Sequence, residues 1–229
     1  MIVRPINVLL DPNNTFASIA HRPTWVAPLL ILMLLGGLAS TLTFAKIDAV
    51  QAVREQFAAQ GRIATEAQID QGVTFFETLR GVAALVTVLG FPLIMMLVAV
   101  VFWFAFELTG QEMNYGTSLS VTLHGMMPMA VASLLTLPVI LGRNSITARE
   151  VMGGNVLVSN LSFLASSDAA PAWVAFLSSV DLFSLWTVVL LVIGYRAAAK
   201  TSTATAAAVV SLVWLGYVSI KIALQAVPF

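Results

Sequence analysis

Residues 81–106 read GVAALVTVLGFPLIMMLVAVVFWFAF, a run without one charged side chain. A helix rises 1.5 Å per residue, so about 20 residues cross the roughly 30 Å hydrocarbon core of a bilayer. Inside lipid a helix satisfies its own backbone hydrogen bonds, and the run is therefore read as a transmembrane helix. Charge-free windows of similar size recur at Pro23–Ala45, Met113–Gly142 and Thr201–Ile220, and Ala169–Tyr195 is interrupted only by Asp181. The alternating pattern of an outer-membrane barrel is not seen. The expected fold is all-α: a polytopic membrane protein whose five-helix bundle has spans at about 24–45, 81–106, 115–141, 182–199 and 203–224 of one domain, 1–229.

Composition agrees. Hydrophobic residues make up 59% of the chain and charged residues 10%, with a mean hydropathy of +0.93; a soluble domain carries roughly 25% charged residues. Eleven basic and eleven acidic side chains cancel. These values exclude a soluble enzyme, a disordered tail and a nucleic-acid binder, which needs a basic field. The lack of cysteine excludes disulfides and thiolate metal sites. The first long apolar run begins near Trp25 and is long enough to span, so it is read as a retained helix and not as a cleaved signal peptide.

Before that run, Val3, Ile6, Leu9 and Leu10 form an apolar stripe. Asp11-Pro12 reads as an N-cap followed by the first helical residue, opening a helix to about Ala20 that buries Phe16 and Ile19 on one side. Residues 1–22 are expected to lie on the membrane surface, with Trp25 as an interfacial anchor. Between the first two spans, 46–80 holds four basic and five acidic residues. Val50, Val53 and Phe57 recur at helical spacing, Gly61 is a stop, and Thr65 with Gln68 forms a capping box that restarts a helix running into the second span. A helical hairpin outside the bilayer follows. It reads either as a partner-docking element or as a solvated extension of two spans. Glu107–Glu112 is a tight turn, Arg143–Asp168 a polar link, and Tyr195–Lys200 a short basic turn.

Asp181 is one candidate site residue, because a carboxylate inside the membrane marks an ion or substrate site by default. Its position before Leu182–Tyr195 equally suits a helix N-cap, with Pro171–Leu177 as a short interfacial or re-entrant helix. His124 lies four residues before Pro128, which lacks the N–H that the His124 carbonyl would bind. The imidazole and that carbonyl could hold a water, a lipid headgroup or a neighbouring helix. Pro92 frees the Val88 carbonyl in the same way, and Pro138 that of Leu134, which predicts kinks. Gly36, Gly37 and Ser40, with Thr41, give small-residue pairs for close helix packing, within one chain or in a homo-oligomer. Lys221 is about 27 Å along the last helix from Thr203 and is expected to snorkel to an interface. No H-E-x-x-H, G-x-S-x-G or P-loop is present, and the two histidines show no metal spacing, so no catalytic residue, cofactor or metal is assigned.

Four segments together resemble the Yip family, five-span membrane proteins that partner Ypt/Rab GTPases, and most closely its bacterial branch. They are Asp11–Phe16 with His21–Trp25, Leu108–Gln111 leading to Met127-Pro128, Asp181–Trp186 closed by Gly194, and the basic turn with its small-residue final span. The resemblance implies a cytoplasmic N-terminus and a C-terminus on the far side. Charge alone leaves this tied: Arg4, Arg22, Arg196 and Lys200 on one side face Lys46, Arg54, Arg62, Arg80, Arg143, Arg149 and Lys221 on about twice the length of loop. An N-terminal segment of 22 residues is short beside the eukaryotic cytosolic region, which argues against GTPase binding. The resemblance supplies no catalytic residues, and its bacterial members suggest an accessory role beside export machinery. The expected function is a non-enzymatic scaffold or assembly factor of the bacterial inner membrane, binding the bilayer and another membrane complex but no nucleic acid. The alternative is a small transporter or lipid-moving protein with a polar cavity near Asp181 and His124.

Overall fold

The computed structural model describes residues 3–147, 150–151, 153–166 and 169–226, with the backbone alone at 59, 79, 83–88, 171 and 225–226. The helices are α1 Val3–Leu10, α2 Pro12–His21, α3 Val26–Ala45, α4 Ala49–Ala59, α5 Glu66–Glu107, α6 Tyr115–Gly125, α7 Met127–Leu141, α8 Pro171–Leu177, α9 Leu182–Ala198 and α10 Thr203–Ala226, with a 3-10 turn at Leu161–Leu164. Among the described residues there is no strand, only isolated bridges at Ile47–Ile146 and Asn160–Asp181. Arg149 and Asp168 of the expected polar link lie outside the described residues.

Side-chain oxygens start the helices by satisfying backbone donors that have no partner within the helix. Asp11 accepts from Asn14 N at 3.4 Å, Asp48 from Gln51 N at 3.0 Å, and Asn114 from Gly116 N at 2.7 Å. Thr65 and Gln68 form the reciprocal box, at 3.4 and 3.0 Å. Gly61 and Gly110 reverse the chain at φ +68° and +77°, a region costly for any residue with a Cβ.

Among the described residues, four helical stretches are long and apolar enough to cross a membrane: Val26–Ala45, Leu89–Glu107, Tyr115–Leu141 and Thr203–Leu224. The second lies inside the 42-residue helix Glu66–Glu107, whose charge-free run starts at Gly81. No breaker separates the hairpin's second helix from the span, so the two are one rod. The third is divided at Met126, whose N–H bonds Thr122 O at 3.0 Å while Met129 N–H bonds Met126 O at 2.9 Å. Pro128 therefore sits in the first turn of α7, where a missing N–H breaks no helical bond. Pro92 and Pro138 lie inside α5 and α7. The stretch expected as the fourth span is α9, with 17 residues, about 25 Å long.

Contacts fix the helix directions. Thr24 meets Ser120, and Gly36 approaches Ser133 to 4.0 Å at an ideal Cβ, so α3 runs parallel to α6–α7. Tyr195 meets Ser118 and Gly125 meets Leu191, so α9 runs antiparallel to α6. Lys221 of α10 returns to Ser178, just before α9. One end of the bundle thus holds α1, α2 and the α5–α6 turn; the other holds Ile47, Ile146 and Asp181. The main core joins Val8, Phe16 and Ile19 to Phe102, Phe106, Leu123, Leu190 and Tyr195. Consequently α2 is built into the bundle: Phe16 and Ile19 are fully buried, and only α1 turns an apolar stripe outward, through Val3, Ile6 and Leu10. The one-sided apolar pattern of α2 meets protein here and not lipid.

Residues 46–80 form the hairpin. Val53 of α4 closes on Gly72 of α5, where a Cβ would lie 2.5 Å from a valine methyl. At its base the Arg80 guanidinium donates to Phe44 O at 3.0 Å and to Ile47 O, and Lys46 Nζ donates to Arg143 O. At its tip Ile63 is 97% exposed.

Candidate functional site

The interior holds a line of hydroxyls. Ser118, Ser120, Thr122 and His124 recur at every second position of α6, and all four are buried. A helix turns about 100° per residue, so alternate members of this series face different neighbours. Ser118 and Thr122 meet the Tyr195 hydroxyl of α9 at 2.8 and 2.7 Å, and Ser118 Oγ donates to Ala99 O of α5 at 2.8 Å. The Tyr195 ring stacks on Phe106 at 4.7 Å and tilts against Phe102 at 4.8 Å. Three helices are thereby tied around one phenol whose hydroxyl is fully bonded, as burial demands.

Ser120 joins the α2–α3 connection. Its hydroxyl accepts from Thr24 N at 2.9 Å and donates to Thr24 O at 2.7 Å. Arg4 of α1 completes the line, donating to Arg22 O at 2.8 Å and Ser18 Oγ at 2.7 Å. His124 Nδ1 lies 2.8 Å from Ser120 O. A carbonyl only accepts, so Nδ1 carries the proton and Nε2 presents its lone pair. That Nε2 is buried without a partner among the described residues, as is the Thr187 hydroxyl.

The expected site residues are spread over the bundle. Asp181 caps α9, with Oδ1 accepting from Phe183 N at 2.9 Å and Ser184 N at 3.2 Å, and Oδ2 from the Ser184 hydroxyl. His124 packs near the level of Leu191, about ten residues and 15 Å further along α9. Between them Gly125 lies against Leu191, where a Cβ would stand 2.5 Å from Leu191 Cδ2. The two residues thus stand at different levels of the bundle. Pro128 opens α7, Pro92 lies within α5, Asp11 caps α2, and Trp186 packs half-buried against the core. Lys221 Nζ donates to Ser178 Oγ at 2.9 Å. Gly36 faces α7, whereas a Cβ at Gly37 would meet nothing within 4 Å.

Sequence reading missed Arg4, Thr24, Ser118, Ser120, Thr122 and Tyr195. Their one sequence signal is the alternating polar series 118–124 inside a charge-free window. At the opposite end Glu150 accepts from Thr147 N at 2.9 Å and from Arg143 at 2.5 Å. The Thr147 amide, and then Arg143, hold its carboxyl below the usual carboxylate range.

Within the hairpin, Arg54, Ala58, Arg62, Ile63 and Glu66 line an open cleft of about 360 Å³. The Arg62 guanidinium lies 5.3 Å over the Phe57 ring.

A family model described as the Yip1 domain matches residues 6–223. No curated protein and no solved structure matches the chain.

Proposed function

The chain belongs to the Yip1 domain family, and from that premise we propose that it is a non-enzymatic scaffold or accessory factor that binds another membrane complex. Residence in a membrane follows from the family and from its long apolar helices. The docking element is the 46–80 hairpin, assisted by the outward stripe of α1. One observation carries this reading: α5 is unbroken from Glu66 to Glu107, so the hairpin tip is held about 22 Å beyond Gly81, where the charge-free run begins. The exposed tip joins an apolar side chain, Ile63, to two guanidiniums, Arg54 and Arg62, a mixture typical of protein contact surfaces. The N-terminal end of the bundle faces the cytoplasm in this reading, and the hairpin the opposite side.

Charge reversal at the tip, Arg54→Glu with Arg62→Glu, combined with Ile63→Ser, leaves the capping box and the base intact. Crosslinking in the host membrane followed by mass spectrometry should then lose a single stoichiometric partner while membrane insertion is unchanged. Undiminished capture of that partner by the tip variant overturns the docking role.

The second reading, a small transporter or lipid mover, draws on the unpartnered His124 Nε2. It requires His124→Leu to stop flux in reconstituted vesicles without lowering abundance. Unchanged flux removes it.

A further inference from the structure

The link between α7 and α9 is built inside out. In a connector bathed in water, polar side chains turn outward. Here Asn160, Ser178 and Ser179 are 4%, 7% and 4% exposed, whereas Val158, Phe163, Leu164 and Trp173 are 70%, 68%, 62% and 52% exposed. The inward groups satisfy one another. Asn160 Nδ2 donates to Gly154 O at 3.0 Å and its Oδ1 accepts from Ser162 N at 2.9 Å. Ser162 Oγ donates to Asn155 Oδ1 at 2.6 Å, and Ser178 and Ser179 both donate to Ala175 O. The backbone is paired too, Leu161 N with Val180 O at 3.2 Å and Leu182 N with Ser159 O at 3.1 Å. Only Asp168 is charged between Val151 and Val180.

Two further observations set the level of this link. It lies where the spanning helices end, since α7 closes at Leu141 and Lys221 of α10 bonds Ser178. It also immediately precedes α9, whose 17 residues cover about 25 Å of a core roughly 30 Å thick. We propose that residues 153–166 and 169–177 are seated in the bilayer interface at this end, with Phe163, Leu164 and Trp173 among the headgroups and upper acyl chains, completing the passage that α9 begins. The occupant of the apolar face is lipid. Internally paired polar groups are what a segment needs to enter a low-dielectric layer. The aromatic stack of Trp173 on Phe176, 5.5 Å apart, suits an interfacial belt. The placement rests on residence in a membrane and is independent of the hairpin's docking role.

The cysteine-free chain is a ready background for single probes. Phe163→Cys and, separately, Leu164→Cys are labelled with an environment-sensitive fluorophore and reconstituted into phosphatidylethanolamine–phosphatidylglycerol vesicles. Ile63→Cys at the hairpin tip is the water-exposed reference. Lipids carrying a nitroxide near the headgroup should quench the link probes and not the tip probe. Burial of 5–10 Å into the boundary should lower aqueous iodide quenching about fivefold relative to the tip. Iodide quenching equal to that of the tip overturns the proposal. So does disulfide formation between two copies through Phe163→Cys, which would show a second chain on this face.

Discussion

Substituting Gly194 tests how α2 is seated. A Cβ at this position would lie 2.7 Å from Phe16 Cε1, 2.7 Å from Val121 Cγ1 and 2.9 Å from Phe16 Cδ1. Both neighbours are fully buried, so neither can swing into open space. Overpacking of this kind costs about 1–3 kcal/mol, and three contacts on immobile groups place it near the upper end. Alanine in mid-helix returns about 1 kcal/mol over glycine. Gly194→Ala should therefore lose about 2 kcal/mol net. Gly216→Ala is the control on the neighbouring helix: nothing lies within 4 Å of its Cβ, so the sign reverses to a gain of up to about 1 kcal/mol. Reversible unfolding in mixed micelles, followed by helical circular dichroism, measures both. In a Phe16→Leu background the loss at Gly194 should shrink, because the blocking ring edge is gone; the coupling between the two sites is expected within about 0.5–3 kcal/mol. A Gly194→Ala protein as stable as the parent would refute the close seating of α2 on α9.

Asp181→Ala should lose about 0.5–2 kcal/mol in the same assay, the usual cost of removing a cap, while Asp181→Asn, which still caps, loses far less; equal losses would contradict the capping geometry. Tyr195→Phe removes a hydroxyl bonded to Ser118 and Thr122 and should cost about 1–3 kcal/mol by leaving buried hydroxyls short of a partner; no loss in unfolding experiments would show that the two hydroxyls re-pair. Glu150 is held below its ordinary value of 4.5, so its stabilising effect is complete above that pH and fades as pH falls through the lowered folded value. Acid titration of unfolding should therefore show a shallower decline below about pH 4.5 in Glu150→Gln than in the parent, and identical profiles would refute the assignment.

Local chemistry made much of the helix layout legible. Asp11-Pro12, Thr65 with Gln68, and Asp181 announce their helices because a cap needs only residues within one turn. The same capping box at Thr65 and Gln68 marks the start of the helix that runs on from the hairpin into a span. The surroundings of α2 were not legible: an apolar stripe on a short helix states that it will be covered, and not whether by lipid or by α9. The Tyr195 cluster was hidden for a related reason. Its partners are 73 and 77 positions away, and the tyrosine looked like the edge of a basic turn. In a continuous helix Pro128 leaves the His124 carbonyl without its partner, but its place in the first turn of α7 depends on a break at Met126 that no residue type marks.

The unbroken α5 has a mechanical side. From Gly81 to Glu66 it is a lever arm of about 22 Å, so a tilt of about 10° in its spanning half sweeps the tip through about 4 Å. The arm is not free to swing alone. Arg80 bolts it to the carbonyls of Phe44 and Ile47, and Ile146 N–H bonds Lys46 O at 2.8 Å beside that joint. A pull on the hairpin is therefore delivered to the end of α3 and the loop after α7, and Arg80 is the bearing through which the load passes.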